Sequence, residues 1–402
     1  MKRILTLLAL LSLQLSPYAA EPPGDSYEQS LLDTIKEIQS LNHEQALSST
    51  RDLIRQYPHS RLGHMLYADL LLAKAEPLTE IGSGIRIDRA IQDFQYEIRQ
   101  RWQHDTSPAH HTQYPDNILF LAQERPYIIL VDQQNSRVYV YRNQGGDLQL
   151  ETDYFITIGL KGYGKQKRGD QKTPIGIYHV TRHIDGKELP DLYGKGAFPI
   201  NYPNAWDLRK KRTGGGIWIH GTPSYTYNRS PWASNGCIVV SNPDFLHIGN
   251  YIDSKVHTPV VVAETVNWIS RDQWLAKRKQ AIELLSTWLI DWESLDHQRY
   301  QRHYSRTELD AFGRDFKRWD GHKRWVNRNK TWIEVEYSKL NIFTYPGEKD
   351  LMLMQFEQSY RSNNLNIDSP KELYWRKSDD SWQIVHEGTR SFPVPDTTIV
   401  EN

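Results

Sequence analysis

The stretch Ile217–Asn242 reads I-W-I-H-G-T-P-S-Y-T-Y-N-R-S-P-W-A-S-N-G-C-I-V-V-S-N. Two short β-branched runs, Ile217–Ile219 and Cys237–Val240, bracket a polar loop, a pattern that predicts two strands with the loop joining them. The first strand delivers His220 to the loop, and the S-N-G-C turn presents Cys237 at the start of the second. A thiolate is the reactive form of cysteine, and an adjacent imidazole lowers its pKa or removes its proton. Cys237 is therefore read as a nucleophile and His220 as its general base. The Gly221 carbonyl would orient the imidazole, and the Gly236 and Cys237 N–H groups would face a developing oxyanion. The bland alternative is a buried cysteine beside an unrelated core histidine.

Cys237 is the single cysteine among 402 residues, which excludes an internal disulfide and any multi-cysteine zinc site. The chain carries 49 Lys+Arg against 49 Asp+Glu, a balance unlike that of a strongly basic nucleic-acid binder or an acidic tail. At the N-terminus, Lys2 and Arg3 precede the apolar run Ile4–Leu13 and the small residues Ala19 and Ala20, the layout of an export signal over residues 1–20. That run is too short to span a bilayer, and no other segment is apolar enough, so a periplasmic location without a transmembrane segment is expected. An exported thiol risks over-oxidation unless it has a role.

Outward from the opening stretch, residues 120–265 read as β-rich, with runs at Tyr127–Val131, Val138–Tyr141, Tyr154–Ile158, Ile175–Val180 and Val260–Ala263. Residues 25–104 show helical spacing, as in Leu31, Leu32, Ile35 and Ile38. The polar stretch His104–Asp116 reads as a linker. In residues 270–392 an amphipathic helix around Trp274–Trp292 and a polar one at Glu308–Trp319 precede strands at Thr331–Tyr337, Leu340–Tyr345, Leu351–Tyr360, Glu372–Lys377 and Trp382–Glu387. The expected fold class is thus a multidomain α+β protein: helical N-terminal region, β-rich centre, α+β C-terminal domain. Nine of the 13 tryptophans fall after residue 264, enough to line a C-terminal pocket as well as a core.

No metal or cofactor is expected. His179 and His183 lie four strand residues apart, about 13 Å, too far to share an ion. Gly214–Gly216 lacks the Lys-Ser/Thr of a phosphate loop. Arg209–Arg212 reads as a solvated basic loop. Tyr225, Tyr227 and Trp232 either wall a substrate groove or pack the loop between base and nucleophile.

The histidine-glycine pair, the gap and the S-N-G-C turn resemble the active site of the L,D-transpeptidase (YkuD-type) family. G-D-Q-K-T-P-I-G-I-Y at Gly169–Tyr178 is similar to that family's strand entry, Ile156–Gly159 to its preceding strand end, and Thr258–Val261 to its closing strand. Asn235 departs from the family's usual histidine two residues before the cysteine, and Val239 from its usual Arg or Asn. Ser234, Asn235 and Gly236 would form the substrate-facing turn, and Arg229 would supply the missing cation. The resemblance implies attack on the diamino acid of a peptidoglycan stem peptide, thioester formation, release of D-Ala, and transfer to an amine. Hydrolysis by water, an L,D-carboxypeptidase reaction that would affect cell shape, is the alternative, and a non-catalytic wall-binding scaffold a second. The C-terminal domain resembles the cone-shaped SnoaL or nuclear-transport-factor type, which would bind glycan, peptide or a protein partner; no nucleic acid is expected. The whole layout resembles the cell-shape-determining L,D-carboxypeptidases.

Overall fold

A computed structural model describes residues 23–74, 89–106, 109–379 and 381–389. The expected export signal at 1–20, residues 75–88 of the expected helical region, residues 107–108 of the expected linker, and residues 380 and 390–392 of the expected C-terminal domain lie outside them.

Four helices open the described chain: Pro23–Gln39 (α1), His43–Gln56 (α2), Arg61–Leu72 (α3) and Arg89–Thr106 (α4). Their apolar stripes meet in a core of Tyr27, Leu31, Ile35, Leu53, Leu62, Leu66 and Ile98. Ser60 caps α3 by accepting from Gly63 N, and its hydroxyl meets the Tyr27 hydroxyl at 2.8 Å.

The central sheet explains why the runs Tyr127–Val131 and Val260–Ala263 are apolar throughout. Tyr127–Asp132 (β1), Arg137–Gln144 (β2), Asp147–Phe155 (β3), Gly176–His179 (β4) and a later strand, Pro259–Ala263, lie in the order β3-β2-β1-(Pro259–Ala263)-β4. Pro259–Ala263 runs parallel to β1 and antiparallel to β4. Alternate residues point to two different cores. Ile128, Leu130, Tyr139 and Val261 face the C-terminal domain, whereas Ile129, Val131, Val138, Val260 and Val262 face the rest of the β-rich domain.

Against that second face lies a smaller sheet. Gly196–Pro199 (β5), Trp218–His220 (β6) and Ile238–Val239 (β7) follow one another in it, and the bridge at Ile184–Asp185 closes the far edge. Strands β6 and β7 are parallel, with Ile238 opposite Ile219 and Val239 opposite His220. The strand Pro259–Ala263 is β8 in chain order.

The C-terminal domain packs helix Arg271–Glu293 (α5) against an antiparallel sheet of Ile333–Thr344 (β9), Leu351–Ser362 (β10), Leu365–Ser378 (β11) and Ser381–Gly388 (β12). The two expected strands at 331–345 are one strand. Its ladder is irregular between Ser338 and Asn341, where Lys339 takes φ +52°, so the local pattern looks broken while the pairing continues. The polar helix expected at Glu308–Trp319 lies later, at Phe316–Asn327 (α6), because Gly313 turns the chain at φ +75° and Asp315 caps the helix through Arg318 N.

The stretch expected as a linker is ordered where it is described. It holds the short helix Ala109–Thr112, and Tyr114–Pro115 pairs with Trp268–Ile269. Arg209–Arg212 is not simply solvated: Arg212 pairs with Asp207 at 2.9 Å and Lys210 with Glu348 of the C-terminal domain at 3.3 Å. No helix among the described residues is long and apolar enough to cross a membrane.

Candidate active site

The parallel register of β6 and β7 brings the two candidate reactive groups together. Cys237 precedes Ile238 and so falls beside Trp218, on the same face as His220. Strand spacing of ~4.8 Å and a two-residue rise of ~6.6 Å set their Cα atoms about 8 Å apart, within reach of a thiol and an imidazole. The Tyr193 ring touches both surroundings: its centroid is 5.0 Å from His220 and 4.8 Å from Trp218, and it packs with Cys237 against Ile184, Ala197 and Trp218.

His220 is 3% exposed, and its Nδ1 lies 2.7 Å from the Gly221 carbonyl. An N–H on Nδ1 donates to that oxygen, which leaves Nε2 as the basic nitrogen. Burial drags the imidazole down to about 4, opposed by the Gly221 carbonyl and assisted by the Arg229 charge. Cys237 is half-buried, with Sγ 3.5 Å from the Gly216 carbonyl. Burial pushes its thiol up to about 11; a hydrogen bond from the Trp218 backbone and the charges of Lys165 and Arg229 pull the other way. At neutral pH the resting pair is therefore a thiol and a neutral imidazole.

Two glycines are demanded by the packing. A Cβ on Gly221 would lie 2.3 Å from Asn242 Oδ1, and one on Gly236, at φ +121°, 2.7 Å from the Lys172 carbonyl. Asn242 fastens the base: its Oδ1 accepts from Lys195 N at 2.9 Å and its Nδ2 donates to the Thr222 carbonyl at 2.8 Å. Sequence spacing indicated neither residue: Tyr193 comes from a segment well before His220, and Asn242, although close to Cys237 in the chain, acts through bonds to Lys195 and Thr222 that only the fold brings about.

The remaining candidates separate. Ser234 Oγ donates to the Cys237 carbonyl at 2.7 Å and accepts from Gly236 N at 3.1 Å, so it staples the turn. The Gly236 N–H is thus engaged within the turn, which corrects its expected aim at an oxyanion. Asn235 stands exposed on the rim, its Oδ1 accepting from Gln171 Nε2 at 3.2 Å. The guanidinium of Arg229 donates to the Ala233 carbonyl and lies near enough to the thiol and the imidazole to perturb both. Tyr227 is no groove wall: its ring sits 4.2 Å from Tyr27 and 5.0 Å from Tyr57, and its N–H donates to the His59 carbonyl. Trp232 is 38% exposed and packs on Tyr96 of α4 at 4.9 Å. Asn228 Nδ2 donates to Glu97 of the same helix. The loop between base and thiol is therefore tethered to the N-terminal helices. His179 and His183 are not brought together; their rings pack instead on His257 and Phe198.

Residues 126–262 match the L,D-transpeptidase catalytic domain family, and residues 280–388 the Cds6 C-terminal NTF2-like domain. The chain carries an L,D-transpeptidase catalytic domain followed by an NTF2-like domain. Over 128 residues it is 29% identical to YafK of Escherichia coli (strain K12), a candidate L,D-transpeptidase by name. That alignment takes in 32% of this chain and 47% of YafK, so the chain spans about half the length of the curated relatives it matches. Among solved structures, Bd1075 of Bdellovibrio bacteriovorus is 29% identical, with a TM-score of 0.61 over 70% of this chain and 99% of its own. The helical cell shape determining protein Pgp2 of Campylobacter jejuni is 25% identical, with a TM-score of 0.58 over 70% of this chain and 97% of its own. The expected order of L,D-transpeptidase domain and cone-shaped C-terminal domain agrees with the two family matches, and the likeness to these structures extends over 70% of the chain.

The NTF2-like domain contains a cavity of about 490 Å³ lined by Trp292, Trp325, Lys323, Lys330, Lys371 and Glu387, among others. Five of the nine tryptophans after residue 264, Trp274, Trp288, Trp292, Trp319 and Trp375, are core residues.

Proposed function

We propose that the protein is an exported enzyme of peptidoglycan modification, acting in the periplasm through a thioester at Cys237. The observation that carries this reading is the pairing of β6 and β7, with His220 locked by Gly221 inside an L,D-transpeptidase domain. His220 Nε2 takes the thiol proton as Sγ attacks the carbonyl of the diamino acid in a stem peptide. The Cys237 N–H receives the oxyanion, and Arg229 faces an acidic group of the peptide. Collapse of the tetrahedral species expels D-Ala, whose amine is protonated by the imidazolium. No cofactor enters the reaction.

An amine then takes the acyl group, the reaction the domain's family name describes. Hydrolysis by water is the second reading, favoured by the likeness, over 70% of this chain, to a protein named for determining helical cell shape. In this scheme the export signal occupies residues 1–20, the helical domain 25–104, the catalytic domain 120–265 and the C-terminal domain 270–392. The tryptophan- and lysine-lined cavity of the last would hold glycan, peptide or a protein partner.

Incubation with tetrapeptide muropeptides tests the scheme. Cross-linked dimers support transfer, and tripeptide alone supports hydrolysis. A carbapenem adduct by intact mass, lost in Cys237→Ala, marks the thioester site. Neither turnover nor adduct would leave the non-catalytic scaffold as the surviving reading.

A further inference from the structure

Away from the thiol, three metal-type ligands from separate segments converge. His104 lies at the end of α4, His110 on the helix Ala109–Thr112 and Asp153 on β3; one ligand atom from each lies within 4.8 Å of the others. His104 Nε2 is 2.8 Å from Asp153 Oδ1, and the His104 and His110 rings stack with centroids 4.2 Å and planes 18° apart. His110 is 6% exposed. The hydrogen bond to Asp153 needs only one imidazole. A second imidazole stacked on the first adds no hydrogen bond to that pair, yet it completes a His₂Asp donor set.

We propose that His104, His110 and Asp153 bind a divalent transition ion of the zinc class, whose preferred donors are imidazole nitrogen and carboxylate oxygen. Tetrahedral bonds of about 2.0–2.1 Å place donor atoms roughly 3.4 Å apart, so the cluster closes by side-chain rotation of about 1.4 Å at its widest pair. His104 and Asp153 exchange their mutual hydrogen bond for bonds to the ion. Arg137 donates to the same Asp153 oxygen, Oδ1, at 3.2 Å and is itself paired with Glu28, so it holds the carboxylate in place and leaves Oδ2 open to the ion. A cavity of about 960 Å³, bordered by His110, His111, Glu151 and Asp153, opens beside the cluster. It supplies an entry path and room for water as the fourth ligand. Because the ligands come from α4, the Ala109–Thr112 helix and β3, the ion clasps the helical region to the catalytic sheet. Helix α4 also carries Glu97, which holds Asn228 of the active-site loop.

The test uses the purified protein with Cys237→Ala, so that the thiol cannot supply a ligand. After chelator treatment it is titrated with Zn²⁺ against a chromophoric chelator and with Co²⁺ by absorption spectroscopy. One ion per chain is expected at micromolar or tighter affinity. His110→Ala and Asp153→Asn should each weaken binding at least about 100-fold, the upper end of what loss of an outer-shell partner costs. Zinc should raise the unfolding midpoint of the parent but not of these variants, while His183→Ala binds like the parent. If His110→Ala fails to fold, His104→Gln is read in its place. Absence of stoichiometric binding at micromolar zinc, or binding undisturbed in both ligand variants, overturns the proposal.

Discussion

The neutral resting state of the Cys237–His220 pair has a measurable signature in alkylation by iodoacetamide. Burial raises the thiol from an ordinary value of 9.0 to about 11. At pH 7.5 that leaves about 100-fold fewer thiolates than an unperturbed cysteine presents. The more basic thiolate is the better nucleophile, and a Brønsted slope of about 0.4–0.5 returns roughly six- to tenfold. Cys237 should therefore alkylate about tenfold more slowly than a free thiol, with a rate still climbing above pH 9. His220, drawn down to about 4, is unprotonated throughout this range and contributes no stabilising charge to the thiolate. His220→Ala should leave the alkylation midpoint above pH 9 while lowering turnover of muropeptides by about 10²–10⁴, the usual worth of a general base. A midpoint below pH 8 in the native protein that moves upward in His220→Ala would refute this reasoning, because it would reveal a preformed thiolate–imidazolium pair.

The same two shifts bound stability. The buried thiol favours the folded state below pH 9 and loses that contribution as pH rises through 11; the buried imidazole contributes above 6.5 and loses it as pH falls through 4. Unfolding midpoints of the native protein relative to Cys237→Ala should accordingly diverge above pH 9. Asn242→Ala removes bonds to Lys195 N and Thr222 O and should cost about 1–3 kcal/mol in denaturant unfolding. Its kcat should fall more than KM changes, since it positions the base. Tyr227→Ala removes one ring of a three-ring cluster with Tyr27 and Tyr57, at a cost of about 2 kcal/mol. The freed loop should then be cleaved faster by a protease than in the native protein. In the C-terminal domain, Lys371→Met strands the fully buried Glu387, whose carboxyl Lys371 and Lys323 hold down at about 2. A loss of about 3–5 kcal/mol is expected, read by urea unfolding at pH 7.

What the sequence disclosed was whatever obeys a local period or a short motif. His220 and Cys237 lie within one 26-residue stretch, and the unbroken apolar runs Ile128–Val131 and Val260–Val262 are visible letter by letter, whereas the core each residue faces is not. The bulge near Lys339 misled because it interrupts a local pattern without ending the strand's pairing, and the turn at Gly313 because it moves the helix start down the chain. Tyr193, Asn242, the Asn228–Glu97 bond and the His104–His110–Asp153 cluster were invisible for a different reason. Each depends on segments tens of residues apart, or more, meeting in space, which neither period nor spacing encodes. Tyr227 shows the hazard in reverse: proximity in sequence to the nucleophile left a groove wall and loop packing equally open, and its ring is claimed by Tyr27 and Tyr57, far earlier in the chain.

One feature of the central sheet bears on how the chain acquires its fold. A single apolar core runs from Ile118 and Leu130 to Tyr374 and Val385 across the catalytic sheet and the NTF2-like domain. Phe120 bridges to Ile342, and Trp206 stacks on Tyr374 at 5.2 Å. Synthesis delivers the nucleophile well before those last strands, so one face of the catalytic sheet stays uncovered until the final quarter of the chain arrives. Activity should therefore switch on late and all at once, and a ribosome-released fragment ending near residue 265 should be captured by chaperones instead of working as a small enzyme.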